Sequence, residues 1–294
     1  MIQDVRNILK KLQLRPTKSL GQNFLADEGI LRKIGQAAEI DSNDVILEIG
    51  PGLGSLTAVL AESAGCVVAV EIDKRLIPVL HSNMIGYRNV VILNDDILKI
   101  DVHKELKPYM KNEDGTERRL KIVANLPYYI TTPVIMKLLE SSVEAECMVF
   151  MVQKEVADRM AAAPGGKDYG ALSVAVQYYS RPTVVMQVHP HSFVPQPDVE
   201  SSVVRLELHK TPPVELLDKD LFFKVVKAAF GQRRKTLVNA LNNASYLGLD
   251  KERITELLEK TGIEKNQRGE TLSIEQFAQL SNLIYEQRRR SLPG

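Results

Sequence analysis

Asn125-Leu126-Pro127-Tyr128-Tyr129 follows a short strand-like run at residues 121–124, and no other segment of the chain defines a chemistry so narrowly. An Asn side-chain carbonyl and a neighbouring backbone carbonyl supply two acceptors, enough to take both hydrogens of an exocyclic amine. Pro127 fixes the following backbone, so the Leu126 carbonyl can point into a pocket instead of pairing in a ladder. Tyr128 offers a flat face on which an extruded base can stack. Together these suit attack by the N6 amine of adenine on an activated methyl group. That amine is a poor nucleophile because its lone pair is delocalised into the ring, so its hydrogens must be held while the nitrogen becomes tetrahedral. No general base of unusual pKa is needed, since the proton can leave to solvent after transfer. The plain alternative is an Asn-x-Pro turn, and the position at a strand end weighs against it. Phe193, in His191-Ser192-Phe193-Val194-Pro195-Gln196-Pro197, is a candidate second aromatic to sandwich the base. A ring plugging the edge of the core is an equal reading.

The methyl donor is read from a second constellation. Glu48-Ile49-Gly50-Pro51-Gly52-Leu53-Gly54 joins a first strand to a first helix. Its glycines, Gly50 and Gly52 first among them, let backbone approach a ligand closely. A dinucleotide fingerprint would space them G-x-G-x-x-G to aim a helix at a pyrophosphate. Here they alternate, which suits a ligand without phosphate, S-adenosylmethionine, leaving S-adenosylhomocysteine. Glu71 ends the next strand, where a carboxylate can accept ribose hydroxyls. Asp96 ends the third, placed to accept from an adenine amino group. Asp73 before Lys74 reads as a helix N-cap.

These residues need a scaffold that brings successive strand ends together. Strand-like runs at 45–49, 66–72, 90–93, 121–124, 148–152, 184–188 and 202–208 alternate with helical patterns, among them a helix from 74 to 82. The last two runs lie too close for a crossover helix and predict an antiparallel pair. The expectation is an α/β fold: a Rossmann-like, mostly parallel seven-stranded sheet with an antiparallel strand. After Thr211-Pro212-Pro213 only helical patterns follow, at 219–230, 234–242, 251–260 and 274–288. The predicted domains are 1–210, including an N-terminal basic helix over 1–16 closed by Pro16, and an all-α domain over 211–294.

The chain has 294 residues, 26% charged, with formal net charge +1, which neither requires nor excludes nucleic acid. Lys224, Lys227, Arg233, Arg234 and Lys235 fall in an acid-free stretch at 224–235, and Lys10 and Lys11 lie on the basic N-terminal helix. Such runs are often only solvated faces, but two basic patches suit phosphate contacts on either side of a turned-out base. Cys66 and Cys147 form no CxxC pair, and His189 and His191 flank a proline without ligand spacing, so no metal is expected. With no apolar leader or membrane-length run, a cytoplasmic protein is expected.

These motifs resemble the small-subunit ribosomal RNA adenine dimethyltransferases from about Pro16 to Leu237. The resemblance is carried by Gly21-Gln22-Asn23-Phe24-Leu25, the Glu48–Gly54 turn, Glu71-Ile72-Asp73, Asp95-Asp96, Asn125-Leu126-Pro127-Tyr128, Phe193-x-Pro195-x-Pro197 and Phe230-Gly231-Gln232-Arg233-Arg234-Lys235-Thr236-Leu237. It implies a class I S-adenosylmethionine methyltransferase in which Asn23 and Leu25 join Gly50, Glu71, Asp96 and Asn125 around the cofactor. It further implies dimethylation of two neighbouring adenines near the 3′ end of 16S rRNA, on an assembling small subunit; a monomer is expected. The erythromycin-resistance methyltransferases of 23S rRNA share the Gly-Gln-Asn-Phe and Asn-x-Pro-Tyr-like motifs and are the nearest alternative. A non-catalytic RNA-binding assembly factor on the same scaffold is another.

Overall fold

The computed structural model describes residues 2–11, 17, 20–112, 114–141, 143–232 and 234–291. Among them the chain runs α1 (Ile2–Lys11), β1 (Phe24–Leu25), α2 (Glu28–Ala37), β2 (Asp44–Ile49), α3 (Ser55–Ala61), β3 (Cys66–Val70), α4 (Ile77–Asn83), β4 (Val90–Leu93), α5 (Val102–Leu106), β5 (Arg119–Asn125), α6 (Thr131–Glu140) and β6 (Ala145–Gln153). It continues through α7 (Lys154–Ala161), α8 (Ala171–Tyr179), β7 (Ser180–Val188), β8 (Phe193–Val194), β9 (Ser201–Leu208), α9 (Lys219–Phe230), α10 (Leu237–Asn242), α11 (Lys251–Lys260) and α12 (Ile274–Ser291). The expected end of the first helix at Pro16 lies outside the described residues. Two compact units form, residues 1–157 with 181–208 and residues 158–180 with 209–294.

The first unit is built on a seven-stranded sheet in the order β4-β3-β2-β5-β6-β9-β7. Strands β4, β3, β2, β5 and β6 are parallel, and β9 enters antiparallel to β6 with Cys147 opposite Glu207 and Gln153 opposite Ser201. The β2 run is buried along its whole length because helices cover both faces, and its apolar residues Val45, Ile46, Leu47 and Ile49 are at most 3% exposed. Register then sets the site. Ile49 pairs with Val70 on one side and with Ala124 on the other, and Val70 pairs with Leu93. Gly50 and Glu71 therefore leave the sheet at the level at which Asn125, still paired with Met151, ends β5. The chain order reverses between β2 and β5, and that reversal opens the crevice in which sheets of this kind bind ligands. At the opposite strand ends, buried Asp44 pairs with Lys121 Nζ and Arg119 Nη2, each at 2.9 Å.

Two local expectations are corrected. The helix read from 74 starts at Ile77, with Pro78 in its first turn. Asp73 is not its N-cap: the carboxylate is committed instead to Gln22 and Arg75. The helix read from 234 starts at Leu237. A feature not anticipated is a separate two-stranded sheet in which β1 and β8 run antiparallel, pairing Phe24 with Val194 and Leu25 with Phe193.

The second unit packs α8 with α9 to α12. Tyr169, Phe222, Leu257 and Phe277 are fully buried in its core, and the Tyr169 hydroxyl donates to the Leu272 carbonyl at 3.0 Å. Gly269 is required where two backbones meet, since a Cβ there would lie 2.8 Å from the Ala229 carbonyl oxygen. Residues 158–180 join this unit because Tyr169, Val174 and Tyr178 present a face too apolar to leave in water.

Candidate active site

An open cavity of about 1090 Å³, mouth included, lies at the carboxyl ends of β2, β3 and β5. Asn23, Leu25, Gly50, Gly52, Glu71, Asp96, Asn125, Leu126, Pro127 and Tyr128 all line it. The turn after β2 is held open by left-handed glycines: Gly50 at φ +68°, Gly52 at +61° and Gly54 at +86°. Nothing approaches within 4 Å of where a Gly50 Cβ would stand, whereas at Gly52 the Phe24 ring already lies 3.1 Å from that point. Gly50 thus leaves free space in the cavity, and Gly52 allows β1 to pack over the turn.

Glu48, Glu71 and Asp96 are among the acids that line this cavity, each held differently. Glu71 is 4% exposed and accepts the Gly52 N–H at 3.0 Å on one oxygen and the Asp73 N–H at 2.8 Å on the other. Burial pushes its pKa up, and those two donors oppose the rise. Each oxygen keeps a second lone pair for a ligand hydroxyl. Glu48 was quoted in the sequence motif without a role, and it is 1% exposed with Oε2 lacking any partner. Burial raises its pKa to about 8, the Thr57 hydroxyl opposes that shift, and the Glu71 charge adds to it. Asp96 accepts the Leu98 N–H at 3.0 Å and lies 3.3 Å from Lys99 Nζ.

On the other wall, Asn125 Nδ2 donates to the Asn23 carbonyl at 3.2 Å, which leaves Oδ1 as the acceptor end of the amide. Leu126 donates its N–H to the Met151 carbonyl at 3.1 Å, and its own carbonyl takes no donor from the described residues. Pro127, at ψ 133°, starts a 3-10 turn over Tyr128–Ile130. The Tyr128 hydroxyl shares a 2.7 Å hydrogen bond with Ser201 Oγ, and burial raises its pKa. Tyr129 also lines the cavity, half exposed, with its pKa raised by burial and by the Asp96 and Glu71 charges.

Phe193 is not brought to the cavity. It is 2% exposed and packs in the sheet core with Leu25, Val188 and Val203, so the geometry favours the core-edge reading. Pairing of β8 with β1 turns the ring inward, a consequence of a contact across the chain that no local pattern encodes. Sequence reasoning also missed Gln22, whose side chain holds the loop carrying Asn23. The only signal available for it was its place between Gly21 and Asn23 in the resemblance.

The basic residues lie outside the cavity. Lys10 and Lys11 are exposed on α1, whose Val5 and Leu9 pack against Phe24, Leu53 and Val194. In the second unit, Lys224, Lys227, Arg234 and Lys235 are exposed, while Arg233 lies outside the described residues. Among the described residues no group of three or more His, Cys, Asp or Glu side chains is disposed to hold a metal ion. No helix among them is long and apolar enough to cross a membrane.

A parallel sheet reversing beside β2, with acids and glycines at the reversal, is the fold of the Rossmann-like S-adenosylmethionine-dependent methyltransferases. The profile of the ribosomal RNA adenine dimethylase family matches residues 13–286, and the chain belongs to that family. It is 51% identical over 277 residues to ribosomal RNA small subunit methyltransferase A of Alkaliphilus oremlandii, covering 94% of each chain. The protein of the same name from Clostridioides difficile is 47% identical over 279 residues, covering 95% of this chain and 94% of that one. Among solved structures, a dimethyladenosine transferase from Plasmodium falciparum superposes with a TM-score of 0.76 at 28% identity, covering 90% of this chain and 98% of the other. The 23S rRNA methyltransferase ErmE superposes at 0.66 with 25% identity, covering 90% and 100%.

Proposed function

We propose that this protein transfers methyl groups from S-adenosylmethionine to N6 of two adjacent adenines near the 3′ end of 16S rRNA, twice each, on the assembling small ribosomal subunit. The observation that carries this reading is the convergence on one cavity of the Asn125-Leu126-Pro127-Tyr128 motif with the glycines and acids after β2 and β3. Curated relatives at about half identity are named for the small subunit, while the 23S enzyme stands at 25%, which favours the small-subunit substrate over the alternative. We place the protein in the cytoplasm as a monomer.

The cavity fits the cofactor on its own chemistry. Glu48 Oε2 is a buried, unpartnered acceptor suited to a cationic amino group. Glu71 has lone pairs left for ribose hydroxyls, Asp96 can accept from an adenine amino group, and the space at Gly50 admits a ligand against bare backbone. Asn23 and Leu25 cover the same ligand. When bound, S-adenosylmethionine supplies an electrophilic methyl group on a sulfonium.

The chain's residues then act on the amine. Asn125 Oδ1 and the Leu126 carbonyl accept its two hydrogens, which favours the tetrahedral nitrogen and aims its lone pair. Tyr128, held at its hydroxyl by Ser201, gives the base a face to stack on. The N–H proton passes to solvent along the open mouth. We assign RNA contacts to Lys10 and Lys11 in a catalytic domain that takes up the first unit, residues 1–157 with 181–208, in place of the expected continuous 1–210. Lys224, Lys227, Arg233, Arg234 and Lys235 provide the others in an RNA-binding domain that takes up the second unit, which adds residues 158–180 to the expected 211–294. The decisive experiment incubates the protein with labelled methyl donor and undermethylated small subunits and maps the product. Dimethyladenosine at the adjacent pair is expected; labelling of 23S rRNA instead, or of nothing, defeats the reading.

A further inference from the structure

The loop that carries Asn23 is tied down through the side chain before it. Gln22 Nε2 donates to Asp73 Oδ2 at 2.8 Å, and Gln22 Oε1 accepts the Thr17 N–H at 2.8 Å. Asp73, its side chain 5% exposed, is gripped from the other side by Arg75. The Arg75 Nε donates at 2.9 Å, Nη2 at 2.5 Å and the backbone N–H at 3.1 Å, and Nη2 also donates to Thr17 Oγ1. The Asp73 N–H in turn donates to Glu71 Oε1 at 2.8 Å. One residue beyond Gln22, the Asn23 carbonyl accepts from Asn125 Nδ2. Hydrogen bonds and two short pieces of backbone thus join the acid after β3 to the Asn that ends β5.

We propose that Gln22 and Asp73 are positioning residues for methyl transfer: their clasp sets the Asn23 carbonyl, which orients the Asn125 amide with Oδ1 presented to the amine. This rests on the reading of Asn125 as an acceptor of the amine hydrogens. Gln is suited to the post because it must donate on one side and accept on the other, which neither Glu nor a hydrophobic residue can do. The preceding turn is equally constrained, since Gly21 sits at φ +56° and a Cβ there would lie 3.3 Å from the Tyr129 ring. A clasp on a loop acts on catalysis by geometry, and small displacements of an acceptor are costly in rate.

The polarity of the clasp makes the test specific. Gln22→Glu sets a carboxylate against Asp73, whereas Gln22→Glu with Asp73→Asn reverses donor and acceptor at that contact but costs Arg75 Nη2 its acceptor at Oδ2, so it recovers the clasp only in part. Single-turnover methylation of small subunits at saturating cofactor should fall by about tenfold or more in Gln22→Glu and recover in part in the double variant. Hydrogen–deuterium exchange on the cofactor-free protein should show the amides of residues 20–25 losing protection in the single variant and regaining part of it in the double. Gln22→Ala, checked for folding by thermal melt, should lose rate in the same sense. Wild-type rate and protection in both Gln22→Glu and Gln22→Ala overturns the clasp. An inactive wild-type protein overturns the methyltransferase reading itself, and the exchange experiment still reads the clasp separately.

Discussion

Replacing Glu48 by Gln tests the electrostatics of the cavity directly. The carboxyl is wholly buried, one oxygen has no partner, and its pKa is raised from 4.5 to about 8. A raised carboxyl carries no folding penalty below the unfolded value. As pH rises above it, the unfolded chain ionises while the folded chain keeps its proton, so stability falls until the folded value is reached. At about 1.4 kcal/mol per pH unit, the wild-type protein should lose roughly 3 to 4 kcal/mol from this group between about pH 5 and pH 8. The neutral Gln escapes that loss, and any fixed difference in packing cancels when the two proteins are compared across pH. Urea unfolding followed by circular dichroism should show Glu48→Gln gaining stability over wild type by that amount as pH rises. A difference that stays flat within about 1 kcal/mol refutes the reasoning. The same proton has a functional consequence. A cationic ligand group against Glu48 favours the carboxylate, so cofactor binding near neutral pH should release close to one proton, visible by calorimetry in buffers of different ionisation enthalpy. Glu48→Gln should bind without that release.

Asn125→Ala removes one of the two acceptors for the amine and should lower single-turnover methylation by about 10²- to 10³-fold, with particle binding in a filter assay unchanged. Gly54→Ala introduces a Cβ 2.8 Å from Leu80 Cδ1 at φ +86°, and a loss of about 1–3 kcal/mol should appear as a lowered melting temperature. Lys224→Glu with Lys227→Glu should weaken RNA binding and flatten its dependence on salt, by about one unit of slope for each phosphate left without its lysine. Cofactor affinity measured by calorimetry should stay as in wild type, because neither lysine lines the cavity.

Much of the sheet is determined within short stretches of sequence. The run at 66–70 is continuously apolar and β-branched, and 45–49 is so but for Glu48, a pattern that marks both as short strands buried on both faces. The alternating glycines after β2, the acids after β3 and β4, and the Asn-Leu-Pro-Tyr motif after β5 are legible for the same reason. Backbone freedom and side-chain chemistry belong to each residue, and a parallel sheet brings successive strand ends to one level. The exposed lysines of α9 follow from helical spacing. What only the tertiary structure decided depends on partners far along the chain. Gln22 meets Asp73 across 51 residues and Asn23 meets Asn125 across 102, and neither amide advertises its partner locally. Asp73 read as a cap until that contact claimed it. Phe193 read as a possible stacking face until β8 paired with β1 and turned it into the core. The state of Glu48 belongs to the fold as well: its pKa is set by the water excluded around it, and only packing decides that.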